Sequence, residues 1–392
     1  MSSLKNVLLS LIVILCLTGC WNRVEVNDIA VVTAMGVDKI DGNRIRLSLQ
    51  IGIPATFGSG SAGNLNGNVR STFSVSETGV TLSDAYRKIQ EKLSRRIFLS
   101  HSRVLFIGEK SAKDGVSYII DFFARYQEPR INALIVFTNG EASEFLKNKP
   151  LLEKVPSEET REIMKQGIGL KVSIKDFWDM LISDGIEPVA PRFKLVPLDS
   201  RIDSGQESDA AQKIQAISGA AVFKKDKLVG WMNASEARGI LHLRNELDLG
   251  VITVNIPKEK GGGKVSVKYL KVDTDFKPYF QEGELKMEVK SRSDVSVLEN
   301  ASPINLAKSE ELEFIETKLE ESIKKRMEQT LNKAQKQFRS DIFGFGRTVY
   351  QSYPRQWNSI YKKKWDTVFP ELEVTIKAKV SIKRIGLSKE TK

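Results

Sequence analysis

Apolar and polar positions along the chain follow two periods, and each change of period marks an element. Asp28 to Asp38 is rich in Ile, Val and Ala, and Arg44 to Ile53 alternates apolar with polar. Asp41-Gly42-Asn43 between them supplies turn residues, so the pattern predicts a β-hairpin. Phe57 to Asn68 is a Gly/Ser/Asn loop by composition, and Thr72 to Ser76 reads as a third short strand. Helices and strands then alternate. A helix from Asp84 to Leu93, capped by Ser83, puts Ala85, Ile89 and Leu93 on one face. Val104 to Ile107 reads as a buried strand, Val116 to Phe123 as a helix, Ile131 to Phe137 as a strand and Glu141 to Leu146 as the start of a helix. Pro150 and Pro156 punctuate the chain before helical segments through Lys165 and from Ile174 to Ile182.

Asp199 to Gln212 is polar, with Gly205 and no large apolar residue after Ile202, and reads as an interdomain linker. Beyond it, Ala220 to Phe223, Leu228 to Trp231, Val251 to Ile256 and Val265 to Val272 read as strands, with Lys258 to Lys264 a Gly-rich hairpin tip. Glu284 to Ser291 alternates again. Leu312, Ile315, Leu319, Ile323, Met327, Leu331, Ala334 and Phe338 then recur every three or four residues, one apolar stripe on a helix of about 40 Å. Leu372, Val374, Ile376, Ala378, Val380 and Ile382 alternate with polar residues, the pattern of a strand with one face buried. The fold class is α+β, in several mixed sheet-plus-helix domains. An N-terminal α/β part is expected over residues 20–205. A C-terminal α+β domain over 213–392 should hold the long amphipathic helix and a terminal antiparallel strand.

Length and composition fit this division. A chain of 392 residues suits two or three domains, and 41% hydrophobic against 28% charged residues supports a buried core rather than disorder. The formal charge of +11 suits nucleic acid, an anionic membrane or an acidic polymer, and does not choose among them. The first 19 residues narrow the choice. Lys5 is their only charge, and the apolar run Val7 to Leu17 is too short for a hydrocarbon core that needs about 20 residues. Leu17-Thr18-Gly19-Cys20 resembles the bacterial lipobox, in which the cysteine thiol takes diacylglycerol and a peptidase cuts in front of it. The competing reading, cleavage elsewhere with Cys20 an ordinary core residue, leaves its position at the end of such a run to chance. Residues 1–19 are therefore expected to be removed, leaving one acylated thiol and no possible intrachain disulfide. No other segment approaches about 18 consecutive apolar residues, and a location outside the membrane disfavours nucleic acid.

Candidate chemistry is sparse. His101 and His242 lack a second histidine or a mature thiol at ligand spacing, which argues against zinc and leaves both as structural or surface residues. Gly58-x-Gly60-x-x-Gly63 matches a dinucleotide loop as letters, but Asn64-Leu65-Asn66-Gly67 follows where a helix is needed. No nucleophile elbow, P-loop or metalloprotease helix is present. Glu158-Glu159, Glu310-Glu311 and Glu320-Glu321 alternate with lysines and read as solvated helix faces. An envelope hydrolase would have only these carboxylates and the positive charge in its favour. Lys362-Lys363-Lys364 between Tyr361 and Trp365 suits a membrane interface or a charged outer helix face. Trp357 and Trp365 fall on one helical side, which favours the second reading, with both tryptophans in the core.

Several stretches resemble the Ger(x)C family, the lipoprotein C subunits of nutrient germinant receptors in endospore-forming bacteria. The resemblance runs from Gly19-Cys20-Trp21-Asn22-Arg23 through Asn27-Asp28-Ile29-Ala30, Gly36-Val37-Asp38, Arg95-Arg96-Ile97-Phe98, His101 and Glu128-Pro129-Arg130. It continues with Gly219-Ala220-Ala221-Val222-Phe223, Asp226-Lys227-Leu228-Val229-Gly230-Trp231, Glu236 and Arg238-Gly239. It ends on Asp341-Ile342-Phe343-Gly344-Phe345-Gly346, Trp357, Trp365 and Phe369-Pro370. It implies a mixed α/β fold of several domains and a protein that is not an enzyme, with no cofactor and no metal. Cys20 would carry S-diacylglycerol and an N-acyl group, holding the chain on the outer face of the spore's inner membrane beside membrane-embedded A and B subunits. The alternative is a stand-alone extracytoplasmic solute-binding lipoprotein. The glycines at 219, 230, 344 and 346 are expected at tight turns or close backbone approaches, and Phe343, Phe345 and the tryptophans in the core. Arg95, Glu236 and Arg238 read as ion pairs or caps in preference to subunit contacts.

Overall fold

The structure, a computed structural model, describes residues 4–6, 25–53, 71–126, 128–198 and 213–386. Cys20, the Phe57 to Asn68 loop with its Gly58-x-Gly60-x-x-Gly63 letters, and the Asp199 to Gln212 segment lie outside the described residues. A large sheet is built from β1 (Ile29–Ile40), β2 (Arg44–Gly52), β3 (Thr72–Gly79), β4 (Arg96–Phe98), β5 (Val104–Gly108), β6 (Leu134–Thr138), β7 (Val189–Pro197), β8 (Lys213–Lys224) and β9 (Lys227–Met232). Its order is β3-β2-β1-β5-β6-β7-β8-β9, with β4 beside the start of β1. β1, β5, β6 and β7 are parallel, and antiparallel pairings close both flanks. The first hairpin forms as expected. Gly42 and Asn43 turn it with φ of +76° and +58°, a conformation that glycine and asparagine tolerate best.

Every residue of β5 and β6 is buried, because helices cover both faces of the sheet. Met35, Leu105, Ile107, Ile135 and Phe137 face α1 (Leu82–Gln90), α2 (Glu109–Asp114), α3 (Ser117–Arg125) and α6 (Ile174–Ile182). Ala34, Val104, Phe106, Leu134 and Val136 alternate with them and face α4 (Ala142–Lys147) and α5 (Pro156–Lys165). The cap of α1 is Thr81 rather than Ser83. The Thr81 hydroxyl accepts from Asp84 N at 3.1 Å, and Asp84 answers by accepting from Val80 N, so the helix starts two residues earlier, at Leu82, and Ser83 lies inside it.

A four-stranded sheet follows: β10 (Val251–Asn255), β11 (Lys264–Gln281), β12 (Glu284–Ala301) and β13 (Glu373–Arg384), in that order. β11 and β12 have 18 residues each, well beyond the Val265 to Val272 and Glu284 to Ser291 runs. α7 (Ala234–Leu243) connects the two sheets, and α8 (Ser309–Asn332) carries the long apolar stripe. Ile315, Leu319, Ile323, Met327 and Leu331 are buried, and a π-helical turn over Lys333–Phe338 carries the stripe on to Ala334 and Phe338. α9 (Phe345–Ser352), α10 (Pro354–Gln356), a second π-turn over Trp357–Tyr361 and α11 (Lys362–Val368) lead into β13. The terminal strand is parallel to β12, not antiparallel: Met287 pairs with Val374 and Val289 with Ile376. The reason is topological. α8 to α11 form a crossover that returns the chain to the end of the sheet where β12 began, and a strand entered that way runs parallel.

Candidate functional site

In open α/β sheets, ligands bind beyond the carboxyl ends of neighbouring parallel strands whose connections leave on opposite faces. β5 and β6 form such a pair here, since α2 packs on one face and α4 on the other. The crevice is already filled. Asp38, at the end of β1 and 3% exposed, accepts from Ala142 N at 2.6 Å and Ser143 N at 3.0 Å, placing its own carboxylate where an anionic ligand would sit. Glu109 N bonds to Gly140 O and closes the gap, and a Cβ on Gly108 would collide with the Asp38 carboxylate. Burial pushes the Asp38 carboxyl up, while the two amides pull it down.

A second buried carboxylate organises the junction between the large sheet and the C-terminal elements. Asp341 Oδ1 accepts from Phe343, Gly344 and Phe345 N at 3.3, 3.0 and 3.1 Å. Its Oδ2 accepts from Gly346 N at 2.8 Å and from Trp365 Nε1 at 2.9 Å. Gly344 takes φ +82°, which lets the chain curl around the carboxylate. Burial pushes the Asp341 carboxyl up to about 6 against the pull of the Gly346, Trp365, Phe345 and Gly344 donors. The same turn grips the segment before β7: Glu187 N bonds to Asp341 O, Arg347 N to Gly185 O, and Arg347 pairs with Asp179 at 2.9 Å. Ser340 reaches Phe223 O at the end of β8, and Arg244 after α7 donates to Ile342 O. The arrangement binds elements together, and a carboxylate 1% exposed is out of reach of a substrate.

Two open grooves flank α3. One, of about 620 Å³, lies between α3 and the β1–β2 turn and is lined by Lys39, Ile45, Val80, Tyr118, Phe122 and Arg125. The other, of about 860 Å³, lies between α3 and α6 against Trp178, Ile182 and Asp226. In the first, the charged groups already pair: Lys39 with Asp114 and Arg125 with Asp121. Among the described residues, no three His, Cys, Asp or Glu side chains could hold a metal ion.

The residues singled out in the sequence fall mostly into structural roles. His242 is buried against Ser291 Oγ at 2.8 Å, and burial, with a further push from Arg326, lowers it to about 4. His101 is exposed in a turn beside Phe98. Glu236 closes a capping box with Asn233 and holds Lys333 at 2.8 Å. Trp357, Trp365, Phe343 and Phe345 are buried, while the Lys362–Lys364 run faces outward. Gly219 has φ +137°, and a side chain there would strike Met232 O; Gly230 packs against the Phe338 ring. The glutamate pairs are less solvated than their spacing implies. Glu158 pairs with Arg103, Glu311 accepts from Asn305 N, and Glu320 with Glu316 reaches the outer edge of β13. The acceptor roles of Asp38 and Asp341 were not legible. Both residues stand in the resembling motifs, but only the aspartate ahead of Phe-Gly-Phe-Gly carries a local signal, that of a carboxylate followed by free amides.

Comparison with known proteins extends over both parts of the chain. The family description "Spore germination protein N-terminal domain" matches residues 22–195, and "Spore germination B3/GerAC like, C-terminal" matches residues 218–386. The putative spore germination protein YfkR of Bacillus subtilis (strain 168) is 30% identical over 98% of this chain and 97% of its own. Spore germination protein KC of the same strain is 29% identical over 97% of this chain and 95% of its own. The crystal structure of the GerBC protein superposes with a TM-score of 0.53 at 17% identity, covering 89% of this chain and 97% of that one, and shares the fold. With both halves matched and a relative aligned almost from end to end, the chain belongs to the GerAC-like family of spore germination proteins.

Proposed function

We propose that the chain is a non-enzymatic, lipid-anchored subunit of a nutrient germinant receptor, acting in spore germination with membrane subunits of the A and B types. The extent of the family match carries the reading: almost the whole chain, not one borrowed module, resembles proteins of spore germination. The buried carboxylates support a role without catalysis, since both are taken up by backbone amides. Leu17-Thr18-Gly19-Cys20 supports S-diacylglycerol and N-acyl attachment at Cys20 on the outer face of the spore's inner membrane. Two or more acyl chains hold a protein stably, at about 0.8 kcal/mol per buried CH₂. Among the described residues no helix is long and apolar enough to cross a membrane, which fits a lipid anchor. In this reading the mature chain has an N-terminal part, residues 20–205, and a C-terminal part, residues 213–392, whose first strands β8 and β9 complete the N-terminal sheet, so residues 199–212 join two paired strands rather than two separate cores.

The test is a Cys20→Ala variant in spores, with affinity purification of the lipidated wild type from dormant-spore membranes. The variant should leave the membrane fraction and slow nutrient-triggered germination, and the wild type should bring down A- and B-type subunits in comparable amounts. Membrane retention with normal germination would sink the reading. The solute-binding alternative draws on the groove beside α3. It requires the wild type to purify alone or with a permease and to bind amino acids or sugars in a calorimetric titration.

A further inference from the structure

We propose that the amino end of the large sheet is a lipid-contact face, on which Arg95, Arg96, Arg130 and Lys175 rest against anionic phospholipid headgroups with Ile131 among them. The proposal depends on the Cys20 anchor proposed above and adds which side of the molecule meets the bilayer.

Tether length gives the first argument. Glu25 is five residues from Cys20, and five fully extended residues span at most about 18 Å. The chain passes from there into β1 at Ile29, so the end of the sheet where β1 begins is held near the headgroups. β1 has 12 residues and rises about 40 Å, so the Gly42 turn lies on the far side.

Placement gives the second. β4 pairs in parallel with the start of β1, setting Arg96 opposite Ile29, with Arg95 just before it. Arg103 N bonds to Thr33 O and Leu134 N to Arg103 O, so the turns entering β5 and β6 sit at the same end. Arg130 O accepts from Ala133 N, and Lys175 N bonds to Ile131 O, which brings both cations to the turn before β6. The Ser100 hydroxyl bonds to Glu128 O and ties the two turns together. Arg96, Arg130 and Lys175 are exposed, as is Ile131 at 40%.

The third argument is charge. None of the four cations enters an ion pair among the described residues, whereas most carboxylates around them are engaged. Glu158 holds Arg103 and Arg161, Glu128 accepts from the Tyr126 hydroxyl, and Asp176 caps α6 through Ser173. Asp28 is exposed beside them and opposes part of the charge. A cation near an anionic leaflet strengthens adsorption about fivefold, so four of them orient a molecule that is already tethered.

The experiment places the full-length lipidated chain on vesicles of phosphatidylcholine alone and of phosphatidylcholine with phosphatidylglycerol, and follows amide hydrogen exchange by mass spectrometry. Peptides over 95–103 and 128–133 should exchange about threefold or more slowly on the anionic vesicles, while α8 exchanges equally on both. Half-molar salt, or the variant R95Q/R96Q/R130Q/K175Q, should remove the difference without releasing the protein. Retention on both vesicles with equal exchange at this end overturns the lipid face alone, as does protection that needs added A- or B-type subunits. Release from phosphatidylcholine overturns the anchor and the lipid face together.

Discussion

Trp365 donates its indole N–H to Asp341 across 2.9 Å, and that bond ties α11 to the turn gripping the start of β7. Asp341→Ala would leave the indole and four backbone amides without an acceptor in a buried site. Each orphaned donor costs about 1–3 kcal/mol, so a loss of about 5 kcal/mol or more is expected, read as a lower urea midpoint. Asp341→Asn, which keeps one acceptor oxygen, should lose less. An unchanged midpoint in the alanine variant would show that the turn closes without the carboxylate.

Gly185 and Gly346 meet backbone to backbone. A Cβ on Gly346 would stand 2.6 Å from Gly185 Cα and 2.8 Å from both the Trp357 and Trp365 rings. Gly346→Ala should cost about 3 kcal/mol, because neither rings nor backbone can give way. Gly283→Ala, in open space at φ +83°, should cost only about 1 kcal/mol. Thermal unfolding of both variants checks the ranking, and equal losses would refute it.

His242 makes stability depend on pH. Its folded value of about 4 lies below the usual 6.5, so the unfolded chain binds the extra proton first. The contribution is fully present above pH 6.5 and is lost as pH falls towards 4, by about 3 kcal/mol over that window. His242→Gln cannot titrate. The wild type should therefore lose about that much against the variant between pH 7 and pH 4 in urea titrations, and parallel curves would contradict the assignment.

Glu316 and Glu320 cover the outer edge of β13. Ile382 N donates to Glu316 Oε1 at 2.7 Å and Val380 N to Glu320 Oε1 at 3.0 Å, so side chains of α8 occupy donors that another strand could use. E316A/E320A should self-associate more than wild type in sedimentation velocity, through pairing at β13. Sedimentation identical to wild type across concentration would remove this role.

Local pattern revealed much of the fold, and non-local geometry hid the rest. α6 was legible from Ile174 to Ile182, and the stripe of α8 from its spacing, because both bury one face with little interruption. β11 and β12 were only half legible. Bulges at Ser266/Val267 and Tyr269/Lys271 break the alternation of β11, and Pro278 falls inside it. The direction of β13 depends on where a crossover of some seventy residues delivers the chain, which no local window records. Asp38 and Asp341 meet donors fixed only after folding, and for Asp38 these lie more than a hundred residues away.

The sharing of one sheet by strands on both sides of residues 199–212 bears on how such proteins can be recombined. β7 and β8 pair along nine positions from Val189 with Val222 to Pro197 with Lys213. A chimera joined within 199–212 would ask strands from two different parents to recognise each other, whereas one joined between α7 and β10 keeps the sheet from a single parent. Exchange of germination behaviour between relatives should therefore succeed more often at the later joint, and lineages that diverged by recombination should carry their breakpoints there.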